Sequence, residues 1–223
     1  MTPPRASALA PSRRAAATFA AFAALLAPSM AAAETEKGAD GVYGRLDGDV
    51  DIALAAGPAW SQGGASGALF GRFSYLQTAG AYVAFTDSLG SDSAVPRRSF
   101  GLGVSVRPFF LPRWGLDLQR GPAILDLTID STTIDLGVLW PSDPTGHLTE
   151  KPGVELALAV EVPLVGRAAG PFLGARGALR WSGPELAYGS DHPRGIGPAI
   201  FATVSWHLLA DAHLVDAGDR LMR

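Results

Sequence analysis

The chain has 223 residues, with 18 Lys+Arg against 21 Asp+Glu for a formal net charge of −3, and it contains no cysteine. That length suits one domain with a sizeable core or one closed barrel. Without cysteine there is neither a disulfide framework nor a lipidated-cysteine anchor, and without a basic stripe nucleic acid is not an expected partner.

Residues 1–33 lack acidic groups and place Arg5, Arg13 and Arg14 ahead of the apolar run 15–26, followed by Pro28 and Ala31-Ala32-Ala33. A basic start, a short apolar stretch and an A-x-A site predict an export signal cleaved after Ala33. The run is shorter than the roughly 20 residues of a spanning helix. In the remaining 34–223, 15 Lys+Arg face 21 Asp+Glu, a net charge of about −6. Residues 34–43 read as a flexible leader, 44–209 as the folded domain, and 210–223 as a tail able to form a short helix. No later apolar run reaches helix-spanning length, so any membrane crossing must be made by strands.

The stretch 45–56, RLDGDVDIALAA, alternates strictly. Leu46, Gly48, Val50, Ile52, Leu54 and Ala56 share one side, while Arg45, Asp47, Asp49 and Asp51 share the other, as expected of a strand with opposite faces. The same period recurs. At 69–76, Leu69, Gly71, Phe73 and Tyr75 oppose Phe70, Arg72 and Ser74; residues 77–80 then read as a tight turn. At 81–87, Ala81, Val83 and Phe85 oppose Tyr82, Ala84 and Thr86. At 98–107, Phe100, Leu102, Val104 and Val106 oppose Ser99, Gly101, Gly103, Ser105 and Arg107. Within 124–140 the apolar parity switches from odd (Leu125, Leu127, Ile129) to even (Ile134, Leu136, Val138, Trp140), which means a bulge near Ser131 or two separate elements. The preferred reading is one strand over 132–140, with Asp135 on its polar side.

At 154–164, Val154, Leu156, Leu158, Val160 and Val162 oppose Glu155, Ala157, Ala159 and Glu161. At 172–181, Leu173, Ala175, Gly177, Leu179 and Trp181 oppose Phe172, Gly174, Arg176, Ala178 and Arg180. Finally, at 200–208, Ile200, Ala202, Val204, Trp206 and Leu208 oppose Thr203, Ser205 and His207. The total is about eight strands.

A soluble sheet shows water many Lys, Thr, Glu and Gln, whereas these polar faces are largely Gly, Ala and Ser with isolated charges. Small residues beside paired charges suit the interior of a narrow barrel. The candidate lumen sets Arg45, Arg72, Arg107, Arg176 and Arg180 against Asp47, Asp49, Asp51, Asp135, Glu155 and Glu161, a near balance that buried charges require. Guanidinium suits such a lumen because it can bridge two carboxylates. Trp60, Tyr75, Trp140, Trp181 and Trp206 near strand ends fit an interfacial girdle. Links at 57–66, 88–97, 141–153 and 182–198 read as long, and those at 77–80 and 165–171 as short. The link 108–131 breaks the alternation and is expected to hold a short helix or extra strand at the barrel mouth.

Together, the signal, the two-residue repeat, the loop alternation and the charged lumen resemble the small eight-stranded outer-membrane barrels, the class of the OmpA transmembrane domain, OmpX and OmpW. The resemblance implies an all-β, antiparallel up-and-down transmembrane β-barrel in the outer membrane of a Gram-negative bacterium: monomeric, surrounded by outer-membrane lipid, without cofactor or catalytic residues. Its role would be structural, adhesive or that of a narrow pore. Such barrels usually end in an aromatic residue on the last strand, and here Trp206-His207 are followed by sixteen further residues.

Other chemistries are weaker. Asp47, Asp49 and Asp51 have the first spacings of a calcium loop, but its sixth and twelfth positions fall on Ile52 and Pro58; they read instead as acceptors for Arg176, Arg180 and their neighbours. Ser205 and His207 share a face, with Glu161 able to lie across the lumen, which gives the alternative of a lipid-modifying hydrolase. Residues at i and i+2 on a strand lie about 7 Å apart, too far for a direct hydrogen bond. A second alternative is a soluble exported β-sandwich or lipocalin-like binder of an apolar ligand. The polar, Pro/Gly-rich external loops would hold any extracellular ligand site.

Overall fold

The computed structural model describes residues 43–46, 48–61, 64–88, 97–142, 147–181, 197–210 and 212. Eight strands form one closed antiparallel barrel: β1 (Val50–Ser61), β2 (Gly64–Tyr75), β3 (Ala79–Asp87), β4 (Arg98–Val106), β5 (Thr133–Pro141), β6 (Gly153–Pro163), β7 (Gly170–Trp181) and β8 (Pro198–Ala210). Each strand pairs with its sequence neighbours, and β1 closes on β8. From Asp51, successive paired residues are Ser74, Gly80, Ser105, Asp135, Ala157, Ala178 and Ala199, and the circuit returns to β1 at Ser61, ten residues further on. With about 3.3 Å per residue and about 4.8 Å between strands, that stagger tilts the strands by about 41° and sets a backbone radius of about 8 Å. An interior of this width is filled by side chains.

The alternation assigns the faces as expected from β2 onward, and the apolar sets point outward. Leu158, at the middle of β6, is 59% exposed, whereas Glu155 on the other face is fully buried. Of the outward positions on the eight strands, those that carry charge are Asp87 and Arg98, which lie opposite one another at strand ends and pair at 2.7 Å. Trp60, Trp140 and Trp181 ring one end of the wall; Tyr75 and Trp206 mark the other. A two-sheet sandwich is therefore replaced by a single closed sheet. A lipocalin-like carrier would need its apolar faces inside, and they lie outside.

Two boundaries differ from expectation. The first strand begins at Val50, not Arg45, because the chain turns at Tyr43 and Gly44, whose φ values of 59° and 77° lie in the left-handed region and break the extended run. The long link expected at 57–66 is mostly strand: β1 continues to Ser61 and β2 begins at Gly64. Gly57 and Pro58 look like loop residues, yet they sit within β1. A Cβ on Gly57 would collide with the Ala202 carbonyl, and the β1–β8 pairing is interrupted between Ala56–Val204 and Ala59–Phe201, where Pro58 has no N–H to donate.

The parity switch is two separate elements, with helix in the 108–131 link as that link was expected to hold. Residues before Ser131 are helical, so their apolar spacing is not that of a strand. Helix α1 (Phe110–Gly115) and helix α2 (Ala123–Asp130) fill the β4–β5 connection, at the barrel end that also carries the start of β1 and the finish of β8. Phe110 and Leu127 are buried there and close the mouth. The predicted signal and most of the leader, Asp47, the centres of the links at 88–97, 141–153 and 182–198, and the tail beyond Ala212 lie outside the described residues.

Candidate functional site

The inward residues form stacked ionic layers. At the floor, Arg45 is buried beneath the strands; its Nη2 donates to the Leu127 carbonyl at 2.8 Å and to Ser131 Oγ at 3.1 Å, and its guanidinium lies over the Phe110 ring at 5.5 Å. Asp130 lies 3.8 Å from Arg45 Nε, pairs with Arg113 at 3.2 Å and accepts from Gln119 at 2.6 Å. Arg113 also pairs with Asp126, which accepts from the Tyr43 hydroxyl at 3.2 Å. Burial, followed by repulsion from Arg107, lowers the Arg45 guanidinium to about 9, which still leaves it charged at neutral pH. Burial raises the Asp130 carboxyl despite its two arginines.

Above the floor, Arg107 Nη2 donates to Asp51 at 2.6 Å and the same guanidinium bonds Gln77. His207 bridges two carboxylates, with Nδ1 3.1 Å from Asp51 and Nε2 3.4 Å from Glu161, while Phe172 packs on its ring at 4.4 Å between centroids. Arg72 joins Glu161 at 3.0 Å and Asp135 at 3.6 Å. Higher still, Arg176 spans Asp135 at 3.0 Å and Glu155 at 2.7 Å, and Glu155 also receives Arg180 Nε at 2.6 Å and the Tyr82 hydroxyl at 3.1 Å. The Arg176 guanidinium also lies within 5.3 Å of the Phe70, Tyr82 and Phe201 rings, so its faces are covered as well as its edges.

Space for these long side chains comes from small neighbours on the same face. Gly103 and Gly137 are paired across β4 and β5, and a Cβ on either would stand 2.7 Å from the Tyr82 ring or 2.5 Å from its hydroxyl, so the two glycines form the slot in which Tyr82 reaches Glu155. A cavity of about 30 Å³ remains between Arg72, Asp135, Glu161 and Arg176. It has room for about one or two waters.

Of the predicted lumen residues, Arg45, Asp51, Arg72, Arg107, Asp135, Glu155, Glu161, Arg176 and Arg180 enter this network, though Arg45 does so from a turn and not from a strand. Asp49 precedes β1 and is half-buried, and Asp47 lies outside the described residues. Asp51, expected to pair with Arg176 and Arg180, takes Arg107 and His207 instead, while those two arginines take Asp135 and Glu155. Ser205 and His207 both reach Glu161, the serine by donating to it at 2.8 Å, and all three are buried. A catalytic relay would instead have the serine hydroxyl bonded to the histidine.

Sequence reasoning missed the floor. Asp126 and Asp130 are four residues apart, a helical spacing that puts both on one face toward Arg113. Read with strand periodicity, they carry no signal. Gln77 lies in the β2–β3 turn and meets Arg107 across the β3–β4 ladder, whose pairing runs on from Ala79–Val106 to the Thr78 carbonyl and the Arg107 N–H.

No protein-family model matches the chain, and no curated protein matches it in sequence. One solved structure aligns. It is the solution NMR structure of the de novo designed TMB2.3, 10% identical, matched over 72% of this chain and 94% of that one with a TM-score of 0.35. The barrel described above rests on the chain's own strand pairing.

Proposed function

We propose that this protein is an outer-membrane β-barrel of a Gram-negative cell, without enzymatic activity, whose lumen is closed by its ion pairs and whose role is structural or adhesive. The observation that carries the reading is the inverted distribution of polarity: the arginines and carboxylates are stacked inside, while the outward wall is apolar apart from the paired Asp87 and Arg98. Soluble monomers rarely expose contiguous apolar surface beyond a few hundred Å². Strands of 9 to 13 residues, tilted as above, rise about 22 to 32 Å along the barrel axis. That height matches an apolar band of about 25 Å. The lumen between Leu127 and Leu139 holds interlocked guanidinium groups, carboxylates and aromatic rings, which favours a closed wall over a narrow pore.

Separation of inner and outer membranes, followed by gel migration in SDS with and without boiling, tests the placement; planar-bilayer recording tests closure. The expected results are outer-membrane recovery, a heat-dependent shift and no steady conductance. Recovery in the soluble periplasmic fraction with identical migration either way would remove the membrane reading, and a stable open current would remove the closed lumen.

A further inference from the structure

The helical segment that closes the mouth has the same inverted construction as the wall. Arg113, Gln119, Asp126 and Asp130 are turned inward and bonded to one another or to Arg45 and Tyr43. Phe109, Leu111, Trp114, Leu116, Leu118 and Leu125 are exposed, Leu116 at 69%. A helical segment that ends at water has the reverse arrangement, apolar side in and charges out. The exposed charges that do occur, Asp117 and Arg120, are paired with each other.

We propose that α1, α2 and the turn between them form an interfacial contact with the phospholipid surface around the barrel rim, an inference that rests on the membrane placement proposed above. Continuity of surface supports lipid as the occupant. Phe109 follows within three residues of Val106, the last outward position of β4's apolar row, and α2 packs against β6, whose apolar row runs on through Val162 to the exposed Leu164. The apolar wall thus passes onto the helices without an intervening charged outward residue. Trp114, exposed on this outward side, is the aromatic residue type favoured at bilayer interfaces.

Because the chain lacks cysteine, single sites can be labelled cleanly. Nitroxide labels on Leu116→Cys, Val104→Cys on the wall and Lys151→Cys at the opposite end would be read in vesicles of phosphatidylethanolamine and phosphatidylglycerol, comparing accessibility to oxygen and to a polar nickel complex. The Leu116 label is expected to show an oxygen-to-nickel ratio severalfold above Lys151 and below Val104. A ratio equal to that at Lys151 would mean that the segment stands in water, and protection from both reagents would mean that protein covers it; either overturns the proposal while Val104 still reports lipid. If Val104 itself behaves like Lys151, the membrane placement fails and this contact fails with it. As an independent reading on a surface position, Trp114→Phe is expected to remove part of the tryptophan quenching produced by brominated phospholipid, and unchanged quenching would count against the contact.

Discussion

Replacement of Glu155 by leucine is the most informative single perturbation of the lumen. Glu155 accepts from Arg176, Arg180 and the Tyr82 hydroxyl, at 2.7, 2.6 and 3.1 Å. Arg176 keeps Asp135 after the change, but among the described residues Glu155 is the carboxylate that pairs with Arg180, so Glu155→Leu leaves Arg180 as a buried, uncompensated charge. Breaking a buried pair in that way costs about 3–5 kcal/mol. Loss of the acceptor for Tyr82 adds about 1 kcal/mol or more. The expected total is about 4–6 kcal/mol. Arg180→Leu leaves Glu155 with two donors and is expected to cost about 1–3 kcal/mol, the range for a hydrogen bond to a charged group. The double variant removes one charge of each sign and is expected to fall within about 3 kcal/mol of wild type, since a buried pair replaced by apolar residues is often nearly neutral. The assay is urea unfolding of the barrel in lipid vesicles, followed by tryptophan emission, for all four members of the cycle. A Glu155→Leu cost below about 1 kcal/mol, or a double variant equal to the sum of the singles, would refute the reasoning, because coupled charges cannot be additive.

Leu158→Arg at the middle of the outward wall is expected to cost about 2–4 kcal/mol in a bilayer, whereas Ala159→Ser, one position along and facing inward, should cost far less; equal costs in the same vesicle assay would mean that the outer face does not meet lipid. At the floor, burial raises the Asp130 carboxyl above its ordinary 3.8, so the folded state holds that proton more tightly than the unfolded chain. The contribution of this group to stability is therefore present below 3.8 and is lost as the pH rises through the raised value. Asp130→Asn is expected to flatten the fall in unfolding midpoint above pH 4; an unaltered pH profile would mean that burial and the arginines cancel, and a steeper fall that the arginines dominate.

Much of the wall was legible because a strand has the simplest of sequence periods. Phe100, Leu102, Val104 and Val106 against Ser99, Gly101, Gly103 and Ser105 allow one assignment of faces, and a slip of one residue would invert it. The set of interior charges followed from the same parity. Their pairing did not, because which carboxylate meets which arginine depends on the stagger around the barrel, and that is a property of all eight registers together: Asp51 meets Arg107 from β4's end and His207 from β8, neither adjacent in sequence. Arg45 was misplaced since a left-handed turn at Tyr43 and Gly44 leaves no mark on an alternating pattern. Gly57 and Pro58 were read as loop because in an open sheet proline is confined to edges, and a closed barrel has no edge to which it could be moved. A helix of eight residues makes little more than two turns of its 3.6-residue period, so the sequence marked a short helix or an extra strand within 108–131 without choosing between them.

Closure on β8 also sets the order in which this chain can acquire its structure. Seven of the eight ladders join strands that follow one another in sequence, so they can form as successive hairpins with modest loss of chain freedom. The β1–β8 ladder joins the first strand to the last and demands the encounter of segments separated by nearly the whole domain, the kind of contact that slows assembly. It is also the ladder interrupted at Gly57 and Pro58. Asp51 of β1 and His207 of β8 stand on opposite sides of that junction and meet only when it has zipped shut. Completion of the ionic column and completion of the wall are thus one cooperative event, and a curled but unsealed sheet would leave those groups without each other.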